Sequence, residues 1–130
     1  MDAVDLAFAP VWQLRDRLDS RDVSSVELTE VFLRRIEALN GKLNAYLTVN
    51  FQEALVSAKA ADQEMSQGVT NRPMLGIPIS IKDLEATRGI RTTMGSLAFR
   101  DMIPDVDSVV VERVKASGAV ILGKTNTPEF

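Results

Sequence analysis

The residues that invite a chemical reading are Lys82 and Asp83, adjacent at the end of the run Leu75-Gly76-Ile77-Pro78-Ile79-Ser80-Ile81. This run alternates as a strand does. Ile77, Ile79 and Ile81 fall on one face, and Pro78, Ser80 and Lys82 on the other. Pro78 cannot donate to a ladder, which predicts the start of a strand or an edge. A lysine at such a strand end has two readings. It can be solvated and paired with Asp83. Alternatively, helices cover both faces of the sheet and desolvate the amine beside Ser80. Burial disfavours the charged form, and a lysine of lowered pKa can act as a general base near neutral pH. Ligands of open α/β sheets bind beyond the carboxyl ends of the strands, where Lys82 falls. Spacing alone leaves both readings open.

What the chain lacks narrows the chemistry. Its 130 residues contain no histidine and no cysteine. Ser-His-Asp and Cys-His mechanisms, disulfides and ordinary zinc sites are therefore excluded within it. Acid–base work must fall to Lys, Asp, Glu or Tyr. The formal net charge is -3, without the basic stripe of a nucleic-acid binder. Met1 to Pro10 carries two Asp and no Lys or Arg, unlike a signal peptide. No segment is long and apolar enough to span a membrane. The expectation is a cytoplasmic protein with no membrane or direct nucleic-acid partner.

A second motif fails on context. Gly118-Ala119-Val120-Ile121-Leu122-Gly123-Lys124-Thr125 matches G-x-x-x-x-G-K-[ST]. A phosphate loop needs a strand before the first Gly and a helix from the Lys. Here a helix precedes Gly118, and the intervening residues are apolar strand formers. Pro128 follows too soon for a long helix.

The elements that must position Lys82 can be read outward from it. Helical spacing of Val11, Leu14 and Leu18 predicts a short helix. Ser24 and Glu27 form a capping box for a second, with an apolar stripe of Leu28, Val31, Phe32, Ile36 and Leu39, ending at Asn40-Gly41. An extended piece, Leu43 to Val49, follows. Asn50 opens a third helix that buries Phe51, Ala54, Leu55, Ala58, Ala61 and Met65 and stops at Gly68. Residues 84–104 show no periodicity, and a loop that long is often functional. Asp107 and Ser108 cap a helix burying Val110, Val111 and Val114, and Gly118 ends it. Ala119 to Leu122 reads as a buried strand. The class is α/β, with N-terminal helices over 1–70 and a βαβ unit with a long loop over 71–130. Two strands cannot shield both faces of a parallel sheet, so more chain is expected beyond Phe130.

Residues 75–83, Leu-Gly-Ile-Pro-Ile-Ser-Ile-Lys-Asp, resemble the lysine motif of the amidase signature family. The likeness continues through Gly89-Ile90-Arg91-Thr92-Thr93-Met94-Gly95-Ser96, Asp107-Ser108-Val109-Val110 and 118–130. Arg35-Ile36-Glu37 and Leu43-Asn44-Ala45-Tyr46 are similar to its N-terminal region. One departure is Leu84, where many relatives carry Asn. The resemblance implies a fragment of a larger mixed-sheet fold, a single domain whose remainder is absent. It also implies amide hydrolysis by a Ser-Ser-Lys triad. One serine attacks the carbonyl, and a second, held by a cis peptide, passes its proton to the lysine.

Lys82 matches that lysine and is the candidate general base. Both serines and the oxyanion donors belong to a Gly/Ser-rich segment that these residues do not include. The chain alone is therefore expected to be inactive, and neither Ser80 nor Ser96 lies in the nucleophile motif. Asp83 is read as organising the turn after Lys82, or as a salt-bridge partner. Thr93, Gly95 and Ser96, with Thr92, are read as scaffold of the site. Gly95 suits a positive φ, and the hydroxyls suit backbone groups. Lys124, Asn126 and Glu129 follow the second strand near the same sheet end. No cofactor and no metal is implied.

Two enzymes fit. One is a general amidase acting on small carboxamides through an acyl-enzyme, a homodimer in its complete form. The other is the A subunit of a tRNA-dependent amidotransferase, which releases ammonia from glutamine and works with partner subunits. The Thr-Asn-Thr-Pro-Glu-Phe ending leans toward the first. A non-catalytic module is a third reading.

Overall fold

The computed structural model describes residues 3–69 and 71–127, with the side chains of Ala3 and Val4 left aside. Helices α1 (Ala3–Phe8), α2 (Val11–Asp19) and α3 (Ser25–Leu43) lead into strand β1 (Tyr46–Val49). Helix α4 (Phe51–Ser66), strand β2 (Pro78–Lys82), a 3-10 turn (Leu97–Phe99), helix α5 (Val109–Ala116) and strand β3 (Val120–Thr125) follow. The sheet order is β1-β3-β2. β2 and β3 are parallel and joined through α5, the βαβ unit that the pattern predicts. The extended piece before α4 joins them as an antiparallel strand on β3. β2 is thus an edge strand, and Pro78 begins it, as its missing N–H requires.

Three layers result. On one side of the sheet, Val120 and Leu122 pack with Leu33, Ala54 and Ala58 of α3 and α4. On the other, Ile81 and Ile121 pack with Val111 of α5. Ile77 leaves the sheet to join Leu14, Leu18 and Leu28 beneath the first helices. Each fully buried Leu or Val contributes about 1.5–3 kcal/mol relative to exposure.

The capping box forms as read. The Ser24 hydroxyl accepts the Glu27 N–H, and the Glu27 carboxylate accepts the Ser24 N–H at 2.8 Å. That backbone bond, and after it the Ser24 hydroxyl donating to the same carboxylate at 2.8 Å, hold the Glu27 carboxyl below its ordinary range. Other expectations need correction. α3 does not end at Asn40-Gly41 but runs on to Leu43, where Asn44 adopts φ 49° and closes it. The Asn40 side chain, in place of ending the helix, brackets Tyr46 by accepting its N–H and donating to its carbonyl. Asn50 is the N-cap of α4 without a side-chain capping bond; its amide donates to Ile121 O at 3.4 Å. Val11, Leu39, Phe51 and Val110 are exposed. Periodicity placed them on apolar stripes, but no described element covers those positions.

Strand β3 carries an irregularity that decides the site. Ile79 pairs with Ile121, yet Ser80 pairs with Gly123, so Leu122 is an extra residue on β3. Such a bulge resets which face later residues occupy. Lys124 therefore pairs with Ile81 on the α5 side, where unbroken alternation would have put it with Leu122. Gly123 is the residue that permits this, because a Cβ there would overlap the Thr48 carbonyl oxygen of β1.

Candidate active site at the end of strand β2

Lys82 is the last residue of β2, and its side chain is exposed. Among the described residues its amine has no hydrogen-bond or ion-pair partner. This corrects the expectation of a buried amine. β2 lies at the sheet edge, and α3 and α4, which pack on the face opposite α5, leave Lys82 at the strand end exposed. Two residues back, the Ser80 hydroxyl is hydrogen-bonded to the Tyr46 hydroxyl from β1.

The buried lysine is Lys124, at 0% exposure. Its amine donates to Glu85 O at 2.5 Å and to Thr92 Oγ1 at 2.8 Å. It lies 4.0 Å from Asp83 Oδ1, and Asp83 is equally buried. Burial pushes the Lys124 amine below its ordinary value, partly offset by the charges of Asp83 and Glu85. The same geometry disposes of the phosphate-loop motif, since the residues between Gly118 and Lys124 include a strand and the lysine points into the interior.

Asp83 is tied to the loop by its carboxylate and lies against Lys124 rather than Lys82. Its Oδ2 accepts the Thr93 N–H at 3.0 Å and the Thr93 hydroxyl. Its Oδ1 faces Lys124 without a hydrogen bond among the described residues. Its backbone is tied as well, N–H to Thr125 O and carbonyl from the Met94 N–H, both at 3.0 Å. The Lys82 carbonyl accepts the Glu85 N–H at 3.0 Å, closing a turn directly after the strand.

The loop read as scaffold is a chain of such turns. Ser96 N–H reaches Thr93 O across Met94 and Gly95, both at positive φ, 54° and 69°. Gly95 thus serves the conformation expected of it, and a Cβ there would lie 2.8 Å from Thr127 Oγ1. Asp83, Thr93 and Lys124 come together with Thr92 and the Glu85 carbonyl, and Lys82 adjoins them through its backbone alone. Ser96 and Asn126 do not join them. Ser96 is exposed and caps the 3-10 turn through the Ala98 N–H. Asn126 ties the end of β3 to Asn44 O at 3.0 Å. Glu129 lies outside the described residues. The Glu85 carbonyl carries no side-chain signal by which a sequence could reveal it.

A family model described as Amidase matches residues 27–130. The chain belongs to the amidase signature family. Among curated proteins, this amidase-family chain is similar to the A subunit of glutamyl-tRNA(Gln) amidotransferase from Geobacter sulfurreducens, 48% identical over 118 residues. That match takes in 91% of this chain and 24% of that protein. The protein of the same name from Geobacter metallireducens is 44% identical over the full chain and 26% of its own length. Among solved structures, the peptide amidase of Stenotrophomonas maltophilia superposes with a TM-score of 0.87 at 36% identity, over 92% of this chain and 25% of that one. An amidase family protein of Bacillus anthracis gives 0.86 at 32%, over 95% and 25%. The chain spans about a quarter of the length of the relatives it matches.

Proposed function

We propose that this chain supplies the lysine base of an amide-hydrolysing enzyme, with Lys82 in that role. The observation that carries the reading is the position of Lys82. Among the described residues it is an unpaired amine at the carboxyl end of a parallel strand, where α/β sheets bind ligands, standing on a clamped turn. In the reaction, a serine outside these residues loses its proton, through a second serine, to the Lys82 amine and attacks the amide carbon. The C–N bond then breaks, the leaving amine takes the proton back from Lys82, and water hydrolyses the acyl-enzyme.

A lysine serves as a base only where burial disfavours its charged form. Exposure of Lys82 therefore makes a covering segment a requirement. Leu84 and Met94, which flank the clamped turn, are exposed apolar side chains suited to receive one. By themselves the 130 residues are read as inactive. The Ser80 hydroxyl is engaged with Tyr46 and that of Ser96 with a backbone cap.

The curated relatives named above favour glutamine as the amide, in an A subunit working with partner subunits, over the general amidase that the chain's ending suggested. A cytoplasmic location goes with either reading. The test is ammonia release from glutamine and from a panel of aryl and alkyl carboxamides. It uses the polypeptide that carries this chain in the cell, with and without co-purifying subunits. Lys82→Ala is expected to lower kcat about 10²–10⁴-fold, the usual contribution of a general base. Undiminished turnover by that variant would remove the reading. Glutamine-specific turnover selects the amidotransferase, and broad turnover the general amidase.

A further inference from the structure

The buried cluster below Lys82 is an unusual use of charge. Asp83 and Lys124 are both at 0% exposure, and replacing such a pair by apolar residues is often neutral or stabilising. Its partners point to a task other than stability. The Lys124 amine grips Glu85 O, and the Glu85 N–H closes on the Lys82 carbonyl. Thr92 Oγ1 holds the same amine while its own hydroxyl donates to Ile90 O. From the other side, Thr93 holds the Asp83 carboxylate through its N–H and hydroxyl. Asp83 follows Lys82 directly and is fastened to β3 and to Met94. The backbone leaving Lys82 is therefore fixed on both sides by groups that reach it from the next strand and from a loop about ten residues on.

We propose that Asp83 and Lys124, with Thr93, are positioning residues for Lys82, the buried pair holding the turn that aims the Lys82 amine. The proposal rests on the reading of Lys82 as the base. Neither Asp83 nor Lys124 touches the reacting atoms. Without the pair, the turn gains freedom and the amine spends less time in the attacking geometry, which lowers kcat and leaves substrate binding alone. Displacement by about an ångström costs on the order of 100-fold in rate.

The experiment uses the polypeptide that carries this chain in the cell, with the amide it turns over. Lys124→Met, Asp83→Asn, Thr93→Val and Thr93→Ser are compared with the parent and with Lys82→Ala, per folded molecule. Lys124→Met, Asp83→Asn and Thr93→Val are expected to lose about 10- to 100-fold in kcat with KM changed less than about twofold. Thr93→Ser, which keeps the hydroxyl, is expected to restore most of the rate. Hydrogen exchange at the Glu85 and Met94 amides should quicken at least about tenfold in the impaired variants, while Ile121 and Leu122 stay protected. Should the two charge variants not fold, the Thr93 pair decides by the same readouts. Parent-like kcat in folded Thr93→Val, or equal losses in Thr93→Val and Thr93→Ser, overturns the proposal while leaving Lys82 as base. Full activity in Lys82→Ala overturns the underlying reading and the proposal with it.

Discussion

Lys82 and Lys124 stand one register step apart on adjacent parallel strands, and their environments are opposite. Lys82 pairs with Thr125 and is exposed; Lys124 pairs with Ile81 and is fully buried. The first is free to meet another segment, and the second holds the turn beneath it. Chemical labelling distinguishes them. In the folded 130-residue chain, where no covering segment is present, a small amine-acylating reagent should modify Lys82 readily and Lys124 only on unfolding, read by peptide mass spectrometry. Native-state acylation of Lys124 at the rate of Lys82 would contradict this arrangement.

Loss of the buried cation should be costly. Lys124→Met leaves the Asp83 carboxylate buried without its cation and is expected to lower stability by about 3–5 kcal/mol. Adding Asp83→Asn should recover part of that loss. Denaturant unfolding of the two single variants and the double variant measures the coupling.

Lys124 also sets a pH dependence. Its folded pKa lies below the ordinary value of 10.5, chiefly through burial. The unfolded chain therefore holds that proton more tightly. The contribution is unfavourable below the folded pKa and fades as pH rises through it toward 10.5. Lys124→Met should lack this rise, so the parent-minus-variant stability should climb across the alkaline window. A flat difference would mean that the amine keeps its ordinary affinity for the proton.

Gly123→Ala tests the bulge. The added Cβ overlaps the Thr48 carbonyl oxygen, a backbone atom that cannot swing aside. The expected loss is about 2 kcal/mol or more, read as a fall in the denaturant midpoint. The variant should also loosen the Lys124 cluster, since the register that delivers Lys124 depends on it.

The capping box gives an acid-side counterpart. Ser24→Ala should cost about 1 kcal/mol at neutral pH. The folded Glu27 pKa lies below 4.5. Its contribution is thus complete above the unfolded value and lost as pH falls through the folded one. The gap between parent and variant, followed by thermal melts, should shrink in that window.

Much was legible because it is local. The capping box at Ser24, the edge position of Pro78, the βαβ pattern, the positive φ of Gly95 and the failed phosphate loop all follow from neighbouring residues and backbone geometry. So does the candidacy of Lys82, from a strand end and a motif. What only the tertiary structure decided is which lysine is buried. Alternation along β3 predicts nothing about a bulge that sets Gly123 against the Thr48 carbonyl of β1, and that bulge turns Lys124 toward Asp83. Exposure of Lys82 likewise depends on β2 lying at the edge of the sheet, a matter of strand order. Burial is a sum over neighbours distant in sequence, and no local pattern contains that sum.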